Sequence, residues 1–194
     1  MTRSFLLTAA MLVIMSGCAS SPQAKFYTLS AGQPLERVQT ATPISIAIDS
    51  VTVPELVDRP QFVLRIDAAQ VRIDEFARWA DPLKSQIPRV LAADLAQAVP
   101  GALASARSQW TGEAQTYHVS VDVQSFESVP GEMASVAALW SVHPPKQGAA
   151  VTGRTVVHEP VGAPGYDALV AAHSRALATI SSEIASAIGS TLRP

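Results

Sequence analysis

Tyr117-His118-Val119-Ser120-Val121-Asp122-Val123-Gln124 is the stretch that sets the fold class. Its apolar residues fall on every second position, the period at which successive side chains point to opposite faces of a strand. One face therefore belongs to a core and the other to water, as in an antiparallel sheet. Val129-Pro130-Gly131-Glu132 then has turn chemistry, and Met133 to Val142, with Leu139 and Trp140, is apolar at both parities and reads as a strand buried on both sides. Pro144 to Gly148 turns the chain again, into a third strand from Ala150 to His158. Three hairpin-linked strands make a meander.

Outward from that meander, the C-terminal segment carries Tyr166, Leu169, Val170, His173, Leu177, Ile180, Ile184 and Ile188 on one helical stripe, with Asp167, Ser174, Arg175, Ser182 and Glu183 off it. Gly189 is placed to end that helix. Toward the N-terminus, Ile44, Ile46, Ile48, Val51 and Val53 mark a strand, and Phe62 to Ile73 reads as a β-hairpin in which Phe62, Leu64 and Ile66 alternate with Val63, Arg65 and Asp67. Asp81-Pro82 opens a first helix, with Asp as cap and Pro at the first helical position. Leu83, Ile87, Leu91, Leu95 and Val99 form its stripe, with Asp94 elsewhere on the wheel; Pro88 predicts a kink or a late start, and Pro100-Gly101 a stop. A loop containing Trp110 follows, and Phe26 to Leu29 is a brief strand far upstream. Strands, helix, strands, helix, without βαβ repetition, predict an α+β fold: a mainly antiparallel sheet with two helices packed on one face, spanning residues 26–194 as one domain.

Before that domain, Phe5 to Met15 is an apolar run behind Arg3, the layout of a secretory signal peptide. Met15-Ser16-Gly17-Cys18 resembles a bacterial lipobox: Ser16 and Gly17 give a peptidase small side chains, and Cys18, the chain's one cysteine, offers the thiol for lipid. Residues 1–17 are then a signal peptide and 18–25 a lipidated tether. An ordinary signal peptide with an incidental cysteine is the competing reading. An uncleaved spanning helix would want roughly 20 apolar residues, more than this run supplies.

Composition narrows the chemistry. With 14 Lys and Arg against 16 Asp and Glu and no basic cluster, nucleic acid is not an expected partner. With Cys18 committed to lipid, neither a disulfide nor a thiolate metal site can form. His118, His143, His158 and His173 lack the paired helical spacing of a zinc site, and His173, on an apolar stripe, reads as a packed histidine. There is no nucleophile elbow, P-loop or dinucleotide fingerprint. Asp74 and Glu75 are adjacent, point to opposite faces of a strand and read as solvated charges. No catalytic or metal-binding residue is assigned, and no cofactor beyond covalent lipid on Cys18. Arg59 and Arg65 bracket Phe62, and Arg78 precedes Trp79; they read as local ion-pair partners of Asp58, Asp67 or Asp81, or as a polar contact surface.

These residues carry a resemblance. Phe26-Tyr27-Thr28-Leu29 after the lipobox, Leu56 to Arg65 with Asp58-Arg59-Pro60-Gln61 at its centre, and Arg78-Trp79-Ala80-Asp81-Pro82-Leu83 leading to Arg89 to Leu95 are together similar to the ABC-type transport auxiliary lipoproteins, a family of membrane-integrity lipoproteins. Asp81 stands where Glu is familiar, and Pro88 departs from an uninterrupted helix. The resemblance implies a non-enzymatic lipoprotein on the periplasmic face of the Gram-negative outer membrane, with an MCE-domain protein, inner-membrane transport components and outer-membrane lipid as partners, and a homo-oligomeric ring as an assembly. Ala19 after the cysteine, in place of Asp, fits sorting to the outer membrane. Asp58, Arg59, Pro60, Gln61, Arg65, Arg78, Trp79 and Trp140 are the candidate interface or structural residues. The alternative is a periplasmic lipid-binding carrier lipoprotein; an anchored hydrolase lacks a visible motif.

Overall fold

The computed structural model describes residues 22–32, 44–99, 101–106, 116–145 and 148–192. The signal peptide, Cys18 and Trp110 lie outside the described residues. Within them, ten elements follow in order: β1 (Lys25–Tyr27), β2 (Ile44–Thr52), β3 (Gln61–Arg65), β4 (Val71–Trp79), α1 (Leu83–Ala98), β5 (Ala102–Ser105), β6 (Thr116–Val129), β7 (Met133–His143), β8 (Val151–Pro160) and α2 (Tyr166–Leu192). The fold is α+β, as the periodicities predict. The expected sheet, however, is two sheets, of order β1-β4-β3 and β5-β2-β6-β7-β8, and both are mixed. β3–β4 and β6–β7–β8 pair antiparallel, the predicted hairpin and meander. β1–β4, β2–β5 and β2–β6 pair parallel: β2 and β3 lie between β1 and β4, and β3, β4 and α1 lie between β2 and its neighbours, so the chain returns in the same direction. β5 was hidden in the sequence, since Ala-Leu-Ala-Ser carries little strand propensity.

One register device sets the inner face. In β6, Val123 pairs with Ala138 and Ser125 with Ala137, so Gln124 is an extra residue. Such a bulge switches side-chain parity. Tyr117, Val119, Val121 and Val123 are buried before it, and Phe126 and Ser128 after it. The strand thus keeps one apolar face for its whole length, although simple alternation ends at Gln124. At its end Gly131 adopts φ 73° and the Glu132 amide donates to the Val129 carbonyl at 3.2 Å, a turn in which a side chain at 131 would be strained.

The helices cover that inner face. The stripe of α1 is buried as its spacing requires, but the N-cap is Pro82, whose side chain has no acceptor, and Asp81, one residue earlier, pairs with Arg89. Main-chain bonds from Ser85 and Gln86 to the Pro82 carbonyl close the first turn, and the helix runs through Pro88. α2 does not stop at Gly189: the Thr191 hydroxyl donates to the carbonyl of the buried Ile188 and accepts from the Tyr117 hydroxyl, which holds the last turn against β6. β3 and β7 depart from their simple patterns. Val63 is buried beside Phe62 and Leu64 while Ile66 lies exposed past the strand end, and in β7 residues 134–138 are buried but Leu139 is 40% exposed, so only half of that strand is covered on both sides.

Candidate functional site

Seven of the eight predicted residues converge on the three-stranded sheet. The turn Asp58-Arg59-Pro60-Gln61 enters β3 beside the end of β4: the Trp79 amide donates to the Pro60 carbonyl at 2.7 Å, and Gln61 is the register partner of Arg78. Gln61 Nε2 and Arg78 Nη2 both reach the Glu75 carboxylate, at 3.1 and 3.3 Å. Asp58 pairs with Lys84 of α1, and Arg65 Nη2 with Glu127 of β6 at 2.7 Å. Arg59 Nε is buried there without a partner. The Arg59 and Arg65 pairings predicted with Asp58 and Asp67 therefore do not form: Lys84 takes Asp58, and Asp67 instead accepts the Ala69 and Gln70 amides of its own turn, which hold its carboxyl below the usual range. Trp140 lies apart, on β7. Its indole N–H donates to Thr155 at 2.9 Å, Thr155 donates to Glu183 of α2, and its ring covers Gly153 so closely that an added Cβ would sit 2.1 Å from it.

Beneath these polar residues is an aromatic joint. Phe62 stacks on Trp79 with ring centroids 4.3 Å apart and meets Tyr27 and Tyr166 edge-on; Trp79 touches Phe126, which stacks on His173 at 3.8 Å. The joint locks the three-stranded sheet to β6 and the first turns of α2. Asp74 is its polar clamp. The Tyr166 hydroxyl donates to it at 2.5 Å and the Phe76 and Ala77 amides at 2.8 and 3.0 Å, and these bonds, led by Tyr166, hold its carboxyl below the usual range. Burial, aided by Asp74, pushes the Tyr166 phenol up to about 12. Asp74 is thus a structural residue and not the solvated charge its neighbourhood in sequence predicted. His173 is packed, as predicted: its Nε2 lies 2.7 Å from the Ser128 hydroxyl, Nδ1 has no partner, and burial lowers its pKa to about 3.

A second feature was illegible as a stripe. Leaving β1, the chain crosses the helix layer as a strap: the Leu29 amide donates to Gln86 at 2.7 Å, Ser30 to Ser174 at 3.2 Å and Gly32 to Asp94 at 2.8 Å. Ser181 of α2 also reaches Asp94, whose carboxyl burial raises above the ordinary range against the pull of these donors. Gln86 and Asp94 are eight residues apart and flank the apolar stripe of α1; that spacing was the available signal.

Among the described residues, no helix packs on the opposite face of the five-stranded sheet. Cross-strand rows Thr52–Asp122–Leu139–Arg154 and Ser50–Ser120–Ser141–Thr152 line a shallow trough of about 590 Å³, with Leu139 and Val156 exposed beside it. A smaller hollow of about 170 Å³ lies between Val57, Val63 and Val71 on one side and Phe126 on the other, under the Arg65–Glu127 pair.

Residues 27–185 match a family model described as ABC-type transport auxiliary lipoprotein component. A search of curated proteins finds no match. Two solved structures share the fold: an uncharacterized protein, 21% identical, with TM-score 0.69 over 86% of this chain and 99% of that one, and protein XCC0632 from Xanthomonas campestris, described under family-model DUF330, 17% identical, with TM-score 0.64 over 82% of this chain and 92% of that one.

Proposed function

The chain belongs to the family of ABC-type transport auxiliary lipoprotein components, and from that premise we propose that it is a non-enzymatic docking component of an MCE-type system that moves lipid across the envelope. In this reading lipid on Cys18 anchors it to the periplasmic face of the outer membrane, and its partners are an MCE-domain protein and inner-membrane components, met by the chain alone or as a homo-oligomeric ring. The observation that carries the docking reading is the outer face of the five-stranded sheet, which no helix among the described residues covers and where Leu139 and Val156 stand exposed beside Arg154. Of the predicted motif residues, Trp79 sits in the aromatic joint, and Asp58 and Arg65 tie the three-stranded sheet to α1 and β6. A carrier would need an enclosed apolar cavity of the usual ligand size, roughly 300–1,000 Å³; the hollow beside Phe126 is smaller, about 170 Å³, and the trough of about 590 Å³ is a shallow, open surface on the outer sheet face.

Gene deletion tests this. Loss of the chain should raise detergent sensitivity and envelope permeability, and tagged chain should capture an MCE-domain protein. Unchanged permeability together with no captured MCE partner would overturn the proposal.

A further inference from the structure

Five of the ten large apolar side chains exposed among the described residues, Phe26, Leu56, Ile66, Ile73 and Phe76, belong to the three-stranded sheet and its loops. Two are aromatic. Phe26 is 65% exposed and Phe76 47%. Phe26 is the register partner of Arg78 across β1 and β4, and Phe76, in the irregular stretch of β4 just before the buried Ala77, is exposed as Phe26 is. The carboxylates beside them are engaged: Glu75 by Arg78 and Gln61, Asp74 by Tyr166 and two amides. The cation that shares the outward side with Phe26 is its register partner Arg78, whereas Lys25 pairs with the buried Ala77.

What lies over this surface follows from chain length. Cys18 precedes Lys25 by seven residues, and seven extended residues reach at most about 25 Å. Whatever membrane holds the anchor is therefore within that distance of β1. Exposed phenylalanines beside the point where the chain runs toward its anchor, with the carboxylates nearest them held in hydrogen bonds or an ion pair, have the chemistry of shallow insertion at a headgroup boundary. We infer that the outward side of the three-stranded sheet, centred on Phe26 and Phe76, rests on the phospholipid bilayer that holds the chain's own anchor. This rests on the reading of Cys18 as the lipidated residue. The acyl chains supply retention, and the aromatic contact supplies orientation, fixing the angle at which the platform stands.

The test uses full-length lipidated chain on vesicles of phosphatidylethanolamine and phosphatidylglycerol with dibrominated acyl chains, which quench tryptophan inside the bilayer. Phe76→Trp is compared with Leu139→Trp on the five-stranded sheet, each after subtraction of the parent's emission, and Phe26→Trp serves as a second reporter. The expected result is at least a twofold loss of the added emission at positions 76 and 26 and none at 139. An unquenched reporter at 76 and 26 on chain that floats with the vesicles overturns the contact and leaves the anchor standing. Chain that fails to float overturns both, and equal quenching at 76 and 139 overturns the contact.

Discussion

His173 meets the Ser128 hydroxyl at Nε2 and nothing at Nδ1, and burial keeps it neutral down to a pKa of about 3. Unfolded, an ordinary histidine binds its proton below about 6.5, so acid favours the unfolded chain. Stability from this group is complete above pH 6.5 and falls as pH drops toward 3, by about 1.4 kcal/mol per unit. Urea titrations between pH 7 and 5 should show that slope, and His173→Leu combined with Ser128→Ala should flatten it; an unchanged slope in the variant would mean another group carries it. Asp94 runs the other way, because burial raises its carboxyl: its contribution is greatest below its unfolded pKa and is lost as pH rises through the folded one. Asp94→Asn should therefore be no less stable than the parent at pH 7, whereas Asp94→Ala, which orphans the Gly32 amide, should lose about 1–3 kcal/mol. Gly153 is a packing case. Its missing side chain is the space Trp140 occupies, and Gly153→Ala should cost about 1–3 kcal/mol in thermal or urea unfolding, since the ring must move.

Among the elements, the joint between the three-stranded sheet and α2 depends on Tyr166. Tyr166→Phe keeps the ring contacts with Tyr27 and Phe62 and removes only the bond to Asp74. The expected cost is about 1.5–3 kcal/mol, as for a hydrogen bond to a charged group, and the Asp74 carboxyl should titrate at higher pH by NMR. No change in either would mean the aromatic stack alone holds the joint. The elements were legible where one period runs uninterrupted: Leu83 to Leu95, Leu169 to Ile188 and Tyr117 to Val123 bury the residues their spacing selects, whereas Ile44 to Ile48 buries Ser45 and Ala47 as well. Legibility ended where long-range partners decide. The bulge at Gln124 depends on β7, parallel pairing on the path through β3, β4 and α1, and the last turn of α2 on the Tyr117 hydroxyl. Likewise the Asp58–Arg65 and Arg78–Trp79 segments were recognisable as motifs, but Asp74, a clamp made by a residue ninety-two positions away, left no local signature.

At the scale of the molecule, two sheet faces and the helix layer divide the work. The helices and the strap from Leu29 to Gly32 close the core, the three-stranded sheet contains the first described strand, β1, and the five-stranded sheet turns its trough and Leu139 outward. The central claim is that this outer face docks a partner. It is tested most directly by replacing Leu139 and Val156 together with Glu in lipidated chain and measuring capture of the MCE-domain protein against the parent. Both side chains are exposed, so the variant should melt with the parent, within about 0.5 kcal/mol as for surface substitutions. The account predicts at least a tenfold loss of captured MCE-domain protein at equal chain and equal stability; capture undiminished by the two glutamates would contradict it.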